Sequence, residues 1–289
     1  MSLKQKLPAP CYRFAKWGYH FSRLAWCVSK LRQKRFLREG EADRLIAFKD
    51  LFRGQRCFII GNGPSLKEQD LSLLQKEQTF VCNWFPLSEQ FEQLQPKHYC
   101  VCTPTIFNSW KSPEFNKELH SLLKKGGANM KKWLPFDFKE YIEKNQIFDS
   151  EEVFYLLSSP RYRTTTSLDK KEWMNLDLSH PVDHAYSVII EYCLPIAFHL
   201  GFREIYLLGC DCNYFFNDEG AQYFYPEEKH TSEQLPLDTL EKHWGENGRV
   251  FTAYAVAKKT FERHDCKIYN ATKGGCLEIF PRVNYEDIV

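Results

Sequence analysis

The sequence lacks the features that mark several common classes of protein. Its first residues include no continuous apolar segment ending in a small-residue cleavage site, so we expect no secretory signal. No run of about 18 apolar residues occurs, which predicts the absence of a transmembrane helix. The eleven cysteines include no C-x-x-C pair, and two C-x-C spacings (Cys100/Cys102 and Cys210/Cys212) do not indicate structural zinc. We therefore expect reduced thiols in a cytoplasmic protein.

Acidic residues are missing from the first 38 positions, which hold ten lysines and arginines, whereas the rest of the chain has an excess of acids. Because the basic charge is confined to one end, the composition does not favour nucleic-acid binding. Residues 11–36 predict an amphipathic helix whose apolar positions are Phe14, Trp17, Phe21, Leu24, Val28 and Leu31. Such a helix can lie on an anionic membrane surface, or it can pack on the protein with its charges solvated.

The order of the remaining elements indicates an α/β protein. We predict a basic N-terminal helical segment over 1–48 and a Rossmann-like domain over 49–289, a parallel sheet with helices on both faces. Helical patterns cover about 187–200 and 249–263, while residues 104–180 carry few signals and could form an insertion or part of the core. Strand-like runs occur at Cys57–Ile60, Thr79–Cys82, His98–Cys102, Glu152–Leu157, Glu204–Leu208 and Lys267–Tyr269.

A glycine-rich loop follows the first of these strands and is the main candidate for a binding site. Its residues are Gly61, Asn62, Gly63, Pro64 and Ser65. Ser65 and Glu68 have the spacing of a capping box, which predicts an α-helix beginning here. Glycines permit close backbone approach and positive φ, and a helix N-terminus attracts anions. The loop therefore predicts phosphate or nucleotide binding, the alternative being a turn needed only for folding.

Polar residues also follow other strands, and these predict a crevice at one edge of the sheet. Asn83, Thr103 and Asp211 occupy such positions. The sequence at Asp211 is one carboxylate short of an Asp-x-Asp metal motif, so we predict no metal site. Hydroxyl groups in the following loop could stabilise a leaving phosphate, although the loop could equally be an aromatic lid. These hydroxyls belong to Tyr214, Tyr223 and Tyr225.

Two histidines lie in the polar stretch before the last helix, at His230 and His243. A histidine of ordinary pKa can accept a proton from a sugar hydroxyl at neutral pH. The alternative for each is a solvated surface histidine. The sequence alone does not choose between the two residues as a general base.

Several segments together resemble a known group of enzymes: FIIGNGPSLKEQDLSLL, VCNWF, VCTPTIF, LGFREIYLLGCD and KIYNATKGGCLEIF. Over roughly 55–285 the chain resembles the bacterial sialyltransferases of lipooligosaccharide synthesis, and more closely the MptE-like domain family that includes motility-associated glycosyltransferases. The resemblance implies a Rossmann-like GT-A variant that uses a CMP-activated sugar without metal or other cofactor.

By the same resemblance, Asn62, Asn83, Thr103 and Ser187 contact the nucleotide and donor. The tyrosines of the 214–225 loop hold the phosphate, and His243 matches the general base if a gap of about five residues is allowed. An arginine of those enzymes, near the start of the Ser187 helix, reads as His184 here.

The function expected from the resemblance is transfer of sialic acid, Kdo or a related acidic sugar from CMP to a hydroxyl of a lipid-linked or surface glycan. The basic segment would hold the enzyme at the inner face of the membrane. Two alternatives stay open. One is an ATP- and Mg²⁺-dependent pterin diphosphokinase of the MptE type, and the other is a non-catalytic nucleotide-binding protein.

Overall fold

A computed structural model describes residues 27–102, 117, 121–123, 130–148, 152–159, 167–213 and 237–289, with the backbone alone over 237–247. Its centre is a parallel sheet of seven strands in the order β5-β4-β3-β2-β1-β6-β7. The strands are β1 Arg56–Ile60, β2 Gln78–Cys82, β3 His98–Cys100, β4 Lys131–Pro135, β5 Val153–Leu156, β6 Glu204–Leu208 and β7 Lys267–Asn270. The predicted α/β Rossmann-like class is confirmed.

The strands form where the sequence has short, continuously apolar runs, because both faces of the sheet are covered. In β1, β2 and β6 the last four residues are all buried. Six of the seven strands were predicted from such runs. The missed strand is β4, where Lys131, Lys132 and Pro135 interrupt the apolar pattern although four of its five residues are buried. Since β4 and β5 belong to the sheet, part of the weakly patterned region is core.

Among the helices whose bounds are described, two precede β1 and the others connect strands. They are α1 over 27–38, α2 Glu41–Ile46, α3 Gln90–Leu94, α4 Lys139–Lys144, α5 Leu194–His199 and α6 Leu237–Glu262. A π-helical turn, Ile189–Cys193, leads directly into α5, and Gly201 ends this helix with a left-handed φ of 102°. The prediction over 187–200 is thus confirmed in outline. The last helix begins twelve residues earlier than about 249, because Gly245 and Gly248 resemble a loop in sequence yet lie within the helix.

The described part of the N-terminal segment packs against the sheet domain. Phe36 is fully buried and meets Phe136 edge-to-face at 5.3 Å between ring centroids. Lys139 lies between the carboxylates of Glu39 (2.8 Å) and Glu41 (2.6 Å). Leu45 is buried, and its carbonyl accepts a hydrogen bond from the His199 ring at 2.7 Å. These contacts tie α2 and the residues just before it to the domain.

Two residues of the predicted apolar face are exposed to solvent, whereas Phe36 is buried. Val28 and Leu31 are 42% and 65% exposed. Positions 1–26, which hold the rest of that face, lie outside the described residues. No helix of the described part is long and apolar enough to cross a bilayer. Membrane association and a domain boundary at residue 48 stay predictions.

Candidate functional site

The order in which the chain adds strands to the sheet reverses at β1, which makes β1 the topological switch point. From β1 it adds β2 to β5 on one side, and then it crosses over to place β6 and β7 on the other. Ile60 at the end of β1 is in register with Val81 of β2 and Leu208 of β6. Ligands of open α/β sheets bind beyond the carboxyl ends of the strands at such a switch point. The loop over 61–65, Asn83 and Asp211 all lie at this edge.

The β1–β6 side of this edge is closed by the protein's own backbone. The loop over 61–65 lies directly against the segment that follows β6, and its N–H groups donate to that segment. These bonds join Gly61 to the Leu208 carbonyl (2.8 Å), Gly63 to the Gly209 carbonyl (2.9 Å) and Ser65 to the Asp211 carboxylate (3.1 Å). Pro64 has no N–H. Three of the four N–H groups of the loop are therefore already used, which contradicts the predicted cradle of loop N–H groups for a phosphate.

Close packing explains why this loop requires glycine. A Cβ atom on Gly61 would overlap the Gly209 carbonyl, and one on Gly63 would overlap the Asp211 carboxylate and lie 2.8 Å from the Gly209 oxygen. Gly63 has an ordinary φ of −69°, so positive φ is not its role. The prediction of close backbone approach is correct, but the approaching group is the β6 loop of the same chain.

The segment after the loop also differs from the prediction. Residues Pro64–Glu68 form a short 3₁₀ turn, and its N-cap, Gly63, provides no side-chain hydrogen bond. Ser65 lies inside the turn and donates its hydroxyl to Asp211 at 2.8 Å. The predicted capping box and anion-binding helix N-terminus are thus wrong, since a five-residue turn has too few aligned peptide dipoles.

Asp211 joins three segments at the closed side. It is 6% exposed, and its two carboxylate oxygens accept the backbone and hydroxyl bonds from Ser65. Its own carbonyl accepts from the Cys276 N–H at 2.6 Å, and Gly275 is packed so closely that a side chain there would overlap the Asp211 backbone. Burial raises the pKa of Asp211, and the bonds from Ser65 oppose that shift.

The segment after β7 completes this side, and the sequence analysis did not identify its residues. The Thr272 hydroxyl accepts from the Cys210 N–H at 3.1 Å. Arg282 donates to the carbonyls of Thr272 (2.9 Å), Gly274 (2.7 Å) and Gly275 (3.1 Å). Only the turn-forming Gly-Gly pair signalled this loop in the sequence. Three of the five segments that carry the family resemblance, those after β1, β6 and β7, thus contact one another here.

The β1–β2 side of the edge carries two amide oxygens that have no partner in the described part of the chain. Asn62 donates its amide N–H to the Cys82 carbonyl at 3.2 Å, which leaves its buried Oδ1 unpaired. Asn83 has a left-handed φ of 48°, and its Oδ1 is likewise buried and unpaired. Its backbone is fixed by Cys100 (N–H to carbonyl, 3.0 Å) and by the Tyr99 hydroxyl (2.7 Å).

Buried polar atoms without partners are rare in folded proteins, and a pair at neighbouring strand ends indicates a place for a ligand. Both atoms are acceptors, so the ligand groups that fit them are N–H or O–H donors. A phosphate, which offers acceptors, does not fit these two atoms. This side therefore suits a base or a sugar rather than an anion.

Ser187 lies at the start of the helix before β6, as predicted, and its carbonyl accepts from the Glu191 N–H at 2.8 Å. The adjacent residue, Tyr186, has a left-handed φ of 57°. Nearby, His184 meets the carboxylate of Glu191 at 3.0 Å between Nδ1 and Oε2. Sequence reasoning noted His184 but missed Glu191, because a lone acid within an apolar helix gives no signal of its partner.

The other predicted site residues are not tested. Thr103, Tyr214, Tyr223, Tyr225 and His230 lie outside the described residues. The backbone of His243 lies within α6, and its side chain is outside the described part of the structure. Within the described ranges, no group of three His, Cys, Asp or Glu side chains could hold a metal ion. The roles of these residues stay predictions.

Comparison with protein-family models, with curated proteins and with solved structures finds no match for this chain. The resemblance to sialyltransferases and the MptE-like family accordingly stays a prediction. Function must be inferred from the chemistry of the edge itself.

Proposed function

We propose that this chain is a glycosyltransferase that moves sialic acid, Kdo or a related acidic sugar from a CMP-activated donor to a hydroxyl of a lipid-linked or surface glycan. The observation that carries the proposal is the pair of buried, unpaired oxygens on Asn62 and Asn83. They lie at the edge where an α/β sheet binds its ligand. The proposed occupant is the nucleoside part of the donor.

A nucleoside has the donors that these acceptors need. Ribose carries two hydroxyl groups, and cytosine carries an exocyclic amine. An acceptor left buried without a partner carries a desolvation penalty of about 1–3 kcal/mol, which the bound nucleoside would remove. The two amide oxygens would thus recognise the neutral half of the donor.

The closed side of the edge favours a monophosphate donor over ATP. Enzymes that bind triphosphates commonly surround them with free loop N–H groups at a helix N-terminus. Here three of the four loop N–H groups donate to the β6 segment, and both oxygens of Asp211 accept from Ser65. In the proposed enzyme the single phosphate of CMP lies away from the loop, towards the tyrosines at 214, 223 and 225.

The proposed reaction is a direct displacement. The acceptor hydroxyl attacks the anomeric carbon while the bond from that carbon to the CMP phosphate breaks. Histidine accepts the hydroxyl proton, and tyrosine hydroxyls stabilise the negative charge on the departing phosphate. Such donors bring their own leaving group, so no further cofactor is required.

The exposed part of α1 supports a peripheral position on an anionic membrane. Val28 and Leu31 offer apolar surface, and Lys30 and Lys34 are exposed beside them. We expect Leu31→Glu to reduce co-sedimentation with anionic vesicles several-fold. Leu73→Glu is the matched control, because Leu73 is 57% exposed elsewhere on the protein. Equal binding by both variants would rule out this role of α1.

Nucleotide binding tests the central proposal. Melting temperatures would be measured with CMP, CDP, UDP, GDP and ATP, each with and without Mg²⁺. We expect CMP alone to stabilise the protein. Asn62→Ala and Asn83→Gly should each weaken CMP about tenfold, the loss of one hydrogen bond worth about 1.4 kcal/mol. Asn284→Ala, which changes an exposed asparagine, should have no effect.

Three results would contradict the proposal. Stabilisation by ATP with Mg²⁺, without any effect of CMP, would favour a diphosphokinase. Unchanged CMP affinity in both asparagine variants would place the nucleotide elsewhere. Binding of CMP without turnover of any CMP-sugar would instead favour a non-catalytic nucleotide-binding protein.

A further inference from the structure

A buried histidine–carboxylate pair lies at the start of the helix that precedes β6. The His184 side chain is 11% exposed and that of Glu191 is 1% exposed, with 3.0 Å between Nδ1 and Oε2. The Ala185 N–H also approaches Oε2, at 3.5 Å. We infer that His184, positioned by Glu191, accepts the proton of the attacking hydroxyl. This inference rests on the proposed function.

The contact with Glu191 determines which ring nitrogen can react. A carboxylate only accepts hydrogen bonds, so Nδ1 of His184 carries the proton that it donates to Oε2. In the neutral ring Nε2 then has a free lone pair. This arrangement, a carboxylate orienting an imidazole through Nδ1, is the one by which histidine serves as a general base in hydrolases.

The direction of the helix puts the pair at the ligand-binding edge. The helix ends next to the start of β1, because the carbonyls of His199 and Leu200 accept from Asp50 and Phe52. It therefore runs away from the carboxyl edge.

Midway along this helix, the Cys193 thiol lies close to the thiols of Cys82 and Cys100, the last residues of β2 and β3. Ser187 is six residues earlier, about 9 Å further along the axis and beyond the strand ends. His184 and Asn83 consequently lie at the same edge of the sheet.

The backbone next to His184 is strained. Tyr186 has a left-handed φ of 57°, uncommon for a bulky side chain, and the helix begins with the π turn Ile189–Cys193. The Tyr186 ring lies 4.4 Å from the imidazole, and its hydroxyl accepts from Arg249 at 3.0 Å. Such strain is commonly retained where it positions functional groups.

The proposed step transfers the sugar to the acceptor and one proton to His184. The acceptor oxygen forms a bond to the anomeric carbon, and the electrons of the breaking C–O bond pass to the CMP phosphate. The hydroxyl proton moves to Nε2 of His184. The Glu191 carboxylate stabilises the resulting imidazolium until solvent removes the proton.

A second pair provides a matched control. His180 and Asp177 lie at 3.1 Å, but their side chains are 61% and 58% exposed. His180→Gln should leave the rate unchanged. Both histidines contact a carboxylate, and they differ in exposure to solvent. The two variants therefore compare a buried with a solvated imidazole as the general base.

CMP-sialic acid serves as the probe donor, with CMP release to water as the readout. We expect His184→Gln to lower kcat about 100-fold or more while KM and the CMP-induced rise in melting temperature stay within twofold. Added imidazole should restore part of the rate of His184→Gly. Glu191→Gln should lower kcat without changing CMP binding, because the amide can stabilise the wrong ring tautomer.

Three outcomes would overturn the inference. The first is full activity of His184→Gln with loss of activity in His243→Gln, which would assign the proton to His243. The second is a loss of rate in His184→Gln that is fully explained by weaker binding of CMP. The third is failure of wild-type protein to bind CMP, which would also defeat the proposed function, whereas the first two leave it standing.

Discussion

The two sides of β1 differ at the carboxyl edge of the sheet. Towards β6, three N–H groups of the loop over 61–65 donate to the neighbouring segment, and no space remains for a Cβ atom at Gly61 or Gly63. Towards β2, the side chains of Asn62 and Asn83 each leave a buried oxygen unpaired. The first side is closed by internal hydrogen bonds and the second is where we propose that a ligand binds, although both contain residues of the same motif.

The comparison shows that a glycine-rich loop after a strand need not bind phosphate. Glycine is required wherever a backbone closely approaches another group. That group can be a second backbone segment of the same chain or a bound phosphate. What distinguishes the cases is whether the loop N–H groups are free. In this chain the motif residue that can reach a ligand is Asn62, and the glycines around it hold the loop in place.

The largest effect on stability is expected from Gly61→Ala. Its methyl group would overlap the Gly209 carbonyl, and backbone cannot yield as a flexible side chain can. We expect a loss of about 3 kcal/mol or more in the free energy of unfolding, at the upper end for overpacked sites. Urea unfolding measures it.

Gly248→Ala is the control for Gly61→Ala. Gly248 lies within α6 with open space around its Cβ position, so alanine should stabilise by about 0.5–1 kcal/mol. Similar stability of the two variants would mean that the closed side of the edge can open.

An intermediate effect is expected at Asp211. Asp211→Ala leaves the Ser65 N–H and hydroxyl without acceptors, so we expect a loss of about 2–3 kcal/mol. Asp211→Asn keeps an acceptor for the N–H and should lose less. A larger loss in the asparagine variant than in the alanine variant would contradict this structural role.

The same residue gives a prediction for pH. Burial raises the folded-state pKa of Asp211 above its ordinary 3.8, so the folded state binds this proton more tightly than the unfolded state. The contribution of Asp211 to stability therefore falls as the pH rises above about 4. Relative to wild type, Asp211→Asn should become more stable as the pH rises above about 4 in urea unfolding. The opposite trend would show that Asp211 is stabilised as a carboxylate.

The smallest effect on stability is expected from Asn83→Gly on the β2 side. Its backbone bonds to Cys100 and Tyr99 remain, and glycine adopts the φ of 48° without strain. We expect a change within about 0.5 kcal/mol, because relief of strain offsets the greater entropy of the unfolded chain. Calorimetric unfolding without ligand measures it. A large destabilisation would mean that Asn83 has a structural role, as Gly61 does.

Much of the fold could be predicted because it depends on local pattern. A strand buried on both faces needs an apolar run, which is how β1, β2 and β6 were recognised. β4 was missed because lysines and a proline interrupt its run, and its place between β3 and β5 depends on tertiary pairing. The capping-box prediction was wrong for a related reason, because it considered only nearby residues. The Ser65 hydroxyl instead donates to Asp211, 146 residues away.

The sequence by itself determined the α/β class, the position of most strands along the chain and the position of a polar edge beyond β1 and β2, whereas the order of the strands in the sheet came from the structure. Periodicity and turn residues are local properties, and they are sufficient for these features. Only the tertiary structure decided which donors and acceptors at that edge are already paired. Pairing depends on residues far apart in the chain, such as Ser65 with Asp211 or Cys210 with Thr272. The same separation in sequence is the reason why a loop that resembles a phosphate site is, in the folded chain, a closed contact beside two open acceptors.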